Sequence, residues 1–392
     1  MSDSVKIHFS GLNTLRFFAA YFVILHHGET IRAKYGLSNF EDFSFFRNGS
    51  LAVSFFFVLS GFLITYLLLS ELKKRQTIDL PKFYMRRVLR IFPLYYLLVI
   101  IGLIIIPIFL NIIHFPNTQP YNTATGGVLF LFFLSFVVNS LYGSHLLEPL
   151  WSIGVEEYFY IIWAPLFKFF KDKILKVIVG VIVVKSAIVL LFASQNQISA
   201  PLPIFSGQVS IIGEILLSLK FELMAIGGLG AYAVFHNRSR VENAVVFKPI
   251  AQILLFTILV IRIFANVFFT QNATFVGEIY RFLFLTPLLG IYTEGSLFLW
   301  LILNVSVNPK PLFRLNNPIL EKLGEISYGI YMYQMLIIFG VVLLFKKTLL
   351  SLSPALSFAL FYGVVTLGVV GVSWFSKRYF EDWFLQFKKK FE

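Results

Sequence analysis

The sequence contains no cysteine, and this absence excludes several kinds of chemistry. Disulfide bonds, thiolate nucleophiles and cysteine-based metal sites all need a residue type that the chain does not have. Charged residues are scarce as well: they make up 14% of the 392 residues, whereas soluble domains carry about 25%. Hydrophobic residues reach 58% and aromatic residues 18%. One water-soluble core cannot bury so much apolar surface, so we interpret the chain as an integral membrane protein.

Apolar runs recur along the whole sequence at the length that crosses a bilayer, about 20 residues. We therefore expect an all-α, polytopic transmembrane helical bundle with about ten spans, in which each helix satisfies its own backbone polar groups. The expected spans are 11–28, 50–71, 90–112, 155–170, 174–194, 213–235, 248–269, 280–304, 324–346 and 355–376. We see no internal repeat. The expected organisation is one membrane domain over residues 1–392, without an appended soluble domain.

The net charge of +13 would indicate a nucleic-acid partner in a soluble protein. In a membrane protein basic residues gather on the cytoplasmic side, so we expect no nucleic acid here. The basic loop 71–90 then lies inside, and both termini are predicted to be cytoplasmic. A further apolar stretch covers residues 127–142. The basic clusters after it lie on the cytoplasmic side only if this stretch does not cross the membrane. We predict that it is re-entrant or interfacial, which implies a cavity that covers it.

Two residues of the first span could carry chemistry. Arg16 and His27 are separated by about 16 Å of helical rise and fall within about 20° of one face, while His26 points about 100° away. Intramembrane charges usually face a cavity or a partner. The alternatives are an arginine that snorkels to the inner interface and a solvated histidine at the end of a helix.

The second span reads FFFVLSGFLIT and contains the small pair Ser60 and Gly61. Close helix packing explains this pair better than a nucleophilic serine, because Ser60 has no base nearby in sequence. The next segment, FYMRRVLRIFPLYY, places Arg86, Arg87 and Arg90 at helical spacing. Guanidinium groups in such a fork suit phosphates. Ordinary positive-inside charge is the competing explanation.

The segment LWSIGVEEYFY brings two adjacent carboxylates, Glu156 and Glu157, to what we expect is the outer start of a helix. The positive end of the helix dipole favours one acidic residue in the first turn. A second carboxylate, beside Trp151 and Tyr158, exceeds what capping needs. We predict a functional role for this pair.

These segments together resemble the acyltransferase-3 family of membrane O-acyltransferases. Five motifs carry the resemblance in order: GLNTLRFFAAYFVILHH, SFFFVLSGFLIT, FYMRRVLRIFPLYY, LWSIGVEEYFY and LGEISYGIYMYQ, with RYFEDWF resembling the family's tail. The resemblance covers essentially the full chain. It implies transfer of an acyl group, most often acetyl, from cytoplasmic acyl-CoA to a hydroxyl of an extracytoplasmic glycan or a related acceptor. It also implies a multi-pass protein of the bacterial cytoplasmic membrane, without a metal.

The resemblance carries the family's functional positions onto Arg16, His27, Ser60, Gly61, Phe62, Arg87, Arg90, Trp151 and Glu156. We assign catalysis to His27, Glu156 and Arg16, cofactor binding to Arg86, Arg87, Arg90, Ser60, Gly61 and Phe62, and the acceptor side to Trp151, Glu157 and Tyr160. Histidine suits a base for the acceptor hydroxyl near neutral pH, and Glu156 or Glu157 would hold its imidazole.

Three positions depart from the family pattern. Asn13 replaces an aspartate in the first motif, and Tyr158 stands where glutamine is usual. Gln334 stands where a histidine is common, which leaves His27 as the favoured acid or base and counts against mechanisms that need two histidines.

Two other functions stay open on the sequence. A transporter or flippase of lipid-linked sugars would also need many spans, a cavity and intramembrane charges, although many transporters show an inverted repeat. An acyltransferase for a small molecule or a lipid is the nearer alternative. Acyl-CoA consumption in proteoliposomes separates the transporter from the enzymes.

The predicted topology can be tested with single cysteines, because the chain has none of its own. We expect a cysteine at Ser144 to react with an impermeant reagent from the outside only, and a cysteine in the loop 71–90 to react from the cytoplasm only. Labelling of the Ser144→Cys variant from the cytoplasm alone would show that the ten-span arrangement is wrong.

Overall fold

The computed structural model describes residues 9–115, 119–195, 208–271 and 274–391, and these ranges contain helices but no strand. The α-helices are α1 (Leu12–Lys34), α2 (Gly49–Arg75), α3 (Leu80–Ile100), α4 (Ile106–Ile112), α5 (Thr123–Leu131), α6 (Ser135–Tyr142), α7 (Leu150–Phe169), α8 (Ile174–Gln195), α9 (Gln208–Ser218), α10 (Phe221–Glu242), α11 (Pro249–Phe264), α12 (Asn266–Gln271), α13 (Phe275–Leu285), α14 (Pro287–Ser306), α15 (Pro318–Glu325), α16 (Ser327–Ser351), α17 (Pro354–Ser376) and α18 (Asp382–Leu385). A π-helical turn, Ile101–Ile105, joins α3 to α4.

Six stretches of helix are long and apolar enough to cross a membrane: Gly49–Arg75, Leu80–Ile112, Lys171–Phe192, Pro287–Ser306, Ser327–Ser351 and Pro354–Phe391. The predicted fold class, an all-α polytopic membrane bundle, is thereby confirmed. The total of ten spans stays a prediction, since several of the other helices are shorter or more highly charged.

Helix α1 is longer than predicted. It continues to Lys34, so His26 and His27 do not end it. The added turns are polar yet buried, because Glu29 pairs with Arg32 at 3.5 Å and accepts a hydrogen bond of 2.7 Å from the hydroxyl of Tyr362 on α17. The expectation that His27 lies at a helix end was wrong, because a buried ion pair keeps the chain helical beyond it.

Helix α7 also starts earlier than predicted. It begins at Leu150 rather than near residue 155, and its first turn holds no acidic residue. Glu156 therefore lies about 9 Å inside the helix. Capping of the helix dipole does not explain the two carboxylates, and their expected place at the start of the helix was wrong. The cause is the apolar stretch after Leu150, which buries Ile153 and Val155 in the core.

The stretch 127–142 is broken rather than continuous, and its re-entrant or interfacial position stays a prediction. Helices α5 and α6 meet at Phe133, which has a left-handed backbone (φ 58°). The carbonyls of residues 130–132 lie next to this break, and that of Phe130 accepts a backbone hydrogen bond of 3.1 Å from Phe133. Tyr95, Tyr96 and Tyr158 donate hydroxyl hydrogen bonds of 3.0, 2.8 and 3.3 Å to these carbonyls. Irregular backbone inside a membrane needs such partners, so these tyrosines explain how the break is tolerated.

Helices α2 and α10 cross with their backbones in direct contact. A Cβ on Gly61 would collide with the carbonyl oxygen of Met224, and a Cβ on Gly227 would collide with that of Val58. Small residues permit this approach. Gly61 thus has the packing role that was weighed against a functional one.

Substitution at this crossing should destabilise the bundle. We expect Gly227→Ala to cost about 1–3 kcal/mol, because a methyl group must displace backbone. Thermal unfolding in detergent measures the effect. Gly180→Ala is the matched control, since a Cβ there meets no atom within 4 Å. Equal midpoints for the two variants would contradict the close crossing.

Candidate functional site

A cavity of about 360 Å³ lies between α1, α2, α3, α7 and α16 and gathers most of the charged motif residues. Its lining includes Arg16, Ser60, Arg87, Arg90, Glu156 and Tyr160. Arg90 and Glu325 are exposed, which marks the mouth. On α2 the lining runs from Phe56 to Leu67, toward the end of the helix that carries Lys73. A larger cavity of about 760 Å³, along α11, α13 and α14, has an almost wholly apolar lining and carries no comparable chemistry.

The two motif arginines in this cavity are unpaired. Neither Arg87 nor Arg90 forms a hydrogen bond or ion pair with any residue that the structure describes, and the Nε atom of Arg87 is buried without a partner. The guanidinium of Arg87 lies over the ring of Tyr160 at 5.9 Å. Arg16 donates a hydrogen bond of 3.0 Å to the side-chain oxygen of Asn13. The asparagine that replaces the aspartate of the family pattern can therefore still orient the arginine. Three guanidinium groups in one cavity have the hydrogen-bond donors and the charge that suit an anion.

Glu156 is the carboxylate that faces these arginines. One of its oxygens accepts a hydrogen bond of 2.8 Å from the hydroxyl of Ser60, and the other accepts one of 2.9 Å from Tyr160. The carboxylate thus joins α2 to α7. Sequence reasoning found no base for Ser60, because Glu156 is far from it along the chain.

Several predicted site residues lie elsewhere. Arg86 turns away from the cavity and forms an ion pair of 2.9 Å with Glu71. Its other terminal nitrogen donates a hydrogen bond of 2.8 Å to the carbonyl of Phe391. Phe62 is fully buried in the core. The structure therefore separates Arg86 and Phe62 from Arg87 and Arg90, although the sequence placed them in one group.

The acceptor-side residues are also divided. Tyr160 lines the cavity, whereas Trp151 packs edge-on against Phe57 at 5.7 Å between ring centroids and is not part of the lining. Glu157 is buried on the neighbouring face of α7, and its Oε1 atom has no hydrogen-bond partner among the described residues.

His27 lies outside this cavity. It is half-buried, and it makes no hydrogen bond to any described residue. His26 differs, since its Nδ1 atom lies 3.3 Å from the carbonyl of Phe46 and its ring packs against Gly49. The ring of His27 thus contacts that of His26 without a hydrogen bond to a described residue, whereas His26 packs against Gly49. The structure does not bring His27 to Glu156, which was the expected partner of the imidazole.

Glu148 is an acidic residue near His26 that sequence reasoning missed. It is half-buried before α7 and accepts a hydrogen bond of 2.5 Å from Ser144. Burial raises its pKa, while the hydrogen bond from Ser144 and the charge of His26 act in the opposite direction. The sequence feature that pointed to Glu148 was its acidic side chain just before the LWSIG segment.

The comparisons with known proteins decide the family. A family model described as an acyltransferase domain matches residues 9–377. The chain belongs to this acyltransferase family. No solved structure matches it. Among described residues, no three His, Asp or Glu side chains gather as a metal site.

Curated relatives of this acyltransferase match over part of their length. It is 32% identical to the peptidoglycan O-acetyltransferase OatA of Listeria monocytogenes over 149 residues, which are 36% of this chain and 24% of the relative. It is 31% identical to the O-acetyltransferase OatA of Staphylococcus aureus over 160 residues, 39% of this chain and 24% of the relative. The aligned part is thus about a quarter of each relative.

The different surroundings of the arginines in this acyltransferase predict different effects on stability. Arg86→Ala should cost about 1–3 kcal/mol, because the part-buried Glu71 carboxylate loses its ion-pair partner and keeps only the hydrogen bond from the backbone of Asp79. Arg90→Ala should stay within about 0.5 kcal/mol of the parent, because Arg90 is exposed and has no partner. Thermal unfolding of purified protein without ligand tests both, and a loss at Arg90 as large as that at Arg86 would contradict the assignment.

Proposed function

We propose that this protein is a membrane O-acyltransferase that moves an acyl group, acetyl by default, from cytoplasmic acyl-CoA to a hydroxyl of an extracytoplasmic glycan. The observation that supports it most is the cavity where Arg87 and Arg90 lie without an anionic partner beside Ser60 and Glu156. Family membership supports acyl transfer. The names of the relatives support acetyl as the group and peptidoglycan as the class of acceptor.

In this proposal the mouth of the cavity holds the donor. Arg87 and Arg90 bind CoA phosphates, because a guanidinium presents paired donors that match phosphate oxygens. The pantetheine arm then rises toward Ser60 and Glu156, and Arg16 completes the positive lining. Arg86 supports the site indirectly by tying α3 to Glu71 and the C-terminal segment.

The acceptor approaches from the opposite end, where His27 lies. A thioester needs little activation, but a sugar hydroxyl needs a base near neutral pH, and a histidine without a hydrogen-bond partner suits that role. Glu148 is an acidic residue whose charge interacts with that of His26, next to His27, and it replaces Glu156 as the candidate partner of the imidazole in this proposal.

This arrangement fits a protein of the bacterial cytoplasmic membrane with both termini inside. The cavity mouth shares its end of the bundle with the basic residues Lys73, Lys74 and Arg75 at the end of α2, and basic residues favour the cytoplasmic side. Donor and acceptor are then held on opposite sides of one bundle, with membrane lipid around it.

The experiment is acetyl transfer by purified variants in proteoliposomes, with CoA binding measured separately. Arg87→Ala should weaken the use of acetyl-CoA about 10- to 150-fold, as expected for a lost charged contact of about 1.5–3 kcal/mol. His27→Ala should lower transfer about 10²- to 10⁴-fold, the usual effect of losing a general base, while CoA still binds.

Two controls separate these roles from general damage. Lys73→Ala removes a cation from the same end of the bundle but outside the cavity, and should leave acetyl-CoA use unchanged. His26→Ala should reduce stability more than the chemical step. An active His27→Ala variant would remove the base from the proposal, and transport of a lipid-linked sugar without acetyl-CoA consumption would favour the transporter.

A further inference from the structure

The loop between α1 and α2, residues 35–48, carries exposed aromatic rings at the end of the bundle where His27 lies. Phe40 and Phe43 are 50% and 53% exposed. The ring of Phe46 stacks on that of Phe40 with 5.8 Å between centroids, and it contacts the ring of Phe43 at 6.3 Å. We call these three rings the phenylalanine patch. Exposed apolar patches with a polar rim commonly mark binding surfaces.

Buried charges on α1 hold this loop in place. The carboxylate of Glu29 accepts a hydrogen bond from the backbone N–H of Phe40, and the guanidinium of Arg32 donates one to the carbonyl of Ser38. Both charged side chains are almost fully buried. A buried ion pair contributes little stability by itself, but this pair fixes the backbone of the loop. A loop that is fixed in advance binds a ligand at a lower cost in entropy.

The other end of the loop is fixed as well. The side-chain amide of Asn48 donates hydrogen bonds of 3.0 Å to the carbonyls of Ser44 and Ile263. The hydroxyl oxygen of Ser44 accepts a hydrogen bond of 2.7 Å from the backbone N–H of Val267. The loop is therefore tied to α11 and α12 as well as to α1, while two of its rings remain half exposed.

Charged side chains flank the phenylalanine patch. Glu41 and Asp42 stand between Phe40 and Phe43 in the sequence, and Arg47 follows Phe46. Arg47 donates hydrogen bonds of 2.6 Å to the carbonyl of Glu41 and 3.0 Å to the carboxylate of Asp42, which is almost fully exposed. Such charges are costly among the acyl chains of a bilayer. The rings beside them therefore face water rather than lipid.

The patch adjoins the proposed acceptor end. The carbonyl of Phe46 lies 3.3 Å from the Nδ1 atom of His26, and the rings of His26 and His27 have centroids 5.4 Å apart. A chain-like ligand that lies on the patch can therefore extend to His27. A carbohydrate has a face of C–H groups that packs on aromatic rings and hydroxyls that bind carboxylates, which matches the rings and the acidic rim of this loop.

We propose that the phenylalanine patch is a binding subsite for the acceptor glycan, an inference that rests on the proposed function. The C–H face of one sugar ring packs on Phe43, and a hydroxyl of that sugar donates a hydrogen bond to the carboxylate of Asp42. The next sugar of the chain then presents its hydroxyl to His27. The acceptor is accordingly a polymer rather than a single sugar.

The test measures acetyl transfer by the purified chain in lipid, with soluble glycan strands from bacterial peptidoglycan as the probe. We expect Phe43→Ala to raise the KM for the glycan about 2- to 13-fold, the usual effect of one lost aromatic contact. The kcat and the KM for acetyl-CoA should stay unchanged. Phe43→Tyr should keep the KM of the parent, because the ring remains. Phe169→Ala is the matched control, since it removes a ring that is 71% exposed at the C-terminal end of α7.

Fluorescence separates a glycan site from a lipid contact. In the Phe43→Trp variant, we expect glycan strands to change the added indole emission. Brominated lipid should quench the variant no more than the parent, whose five tryptophans supply the background. Extra quenching by brominated lipid would overturn the subsite, because the ring would then face acyl chains.

The outcomes keep the two proposals apart. An unchanged glycan KM in Phe43→Ala, or an equal rise in Phe169→Ala, overturns the subsite while the acyltransferase proposal stands. If the parent transfers no acetyl to any glycan, the acyltransferase proposal is overturned instead. The response of the Phe43→Trp emission to glycan strands then still decides on the patch: a change supports it and no change overturns it.

Discussion

The hydrogen bonds between Glu156 and the hydroxyls of Ser60 and Tyr160 are the interaction on which the site depends. A carboxylate inside a membrane bundle is costly unless charges or donors surround it. Here it receives two hydroxyl donors and lies in one cavity with three guanidinium groups. The same arrangement leaves Arg87 and Arg90 without partners of their own. The charges of the cavity are thus neutralised only in part, and a net positive charge remains.

Two features of the scaffold make that arrangement possible. The close crossing of α2 and α10 at Gly61 and Gly227 holds the helix that carries Ser60. On the other side, the broken segment before α7 is stabilised by tyrosine hydroxyls that donate hydrogen bonds to its carbonyls. Both features place small residues or hydroxyl groups where backbone comes close to backbone. They act on the site indirectly, through the positions of α2, α3 and α7.

Much of this could be predicted from residue types and spacing. The apolar runs indicated a helical bundle, and the arginine, serine and glutamate motifs indicated the residues that later met in one cavity. The errors concerned helix ends and depth. Hydropathy places a helix end where polar residues begin, but Glu29 and Arg32 bury each other and extend α1 past His27. The same limitation misplaced Glu156, since the helix begins at Leu150 and carries the carboxylate inward.

The sequence alone determined that the chain is an integral membrane protein, because its composition leaves no other way to bury its apolar surface. It also decided which residues could carry charge or accept a proton. The tertiary structure decided which side chains contact one another. Ser60 contacts Glu156 and Arg86 contacts Glu71, whereas His27 contacts neither of these glutamates. Partners that are distant along the chain come together only when helices pack, and rotation of a few tens of degrees chooses between a cavity and a core. Neighbouring arginines on one helix can therefore have opposite roles.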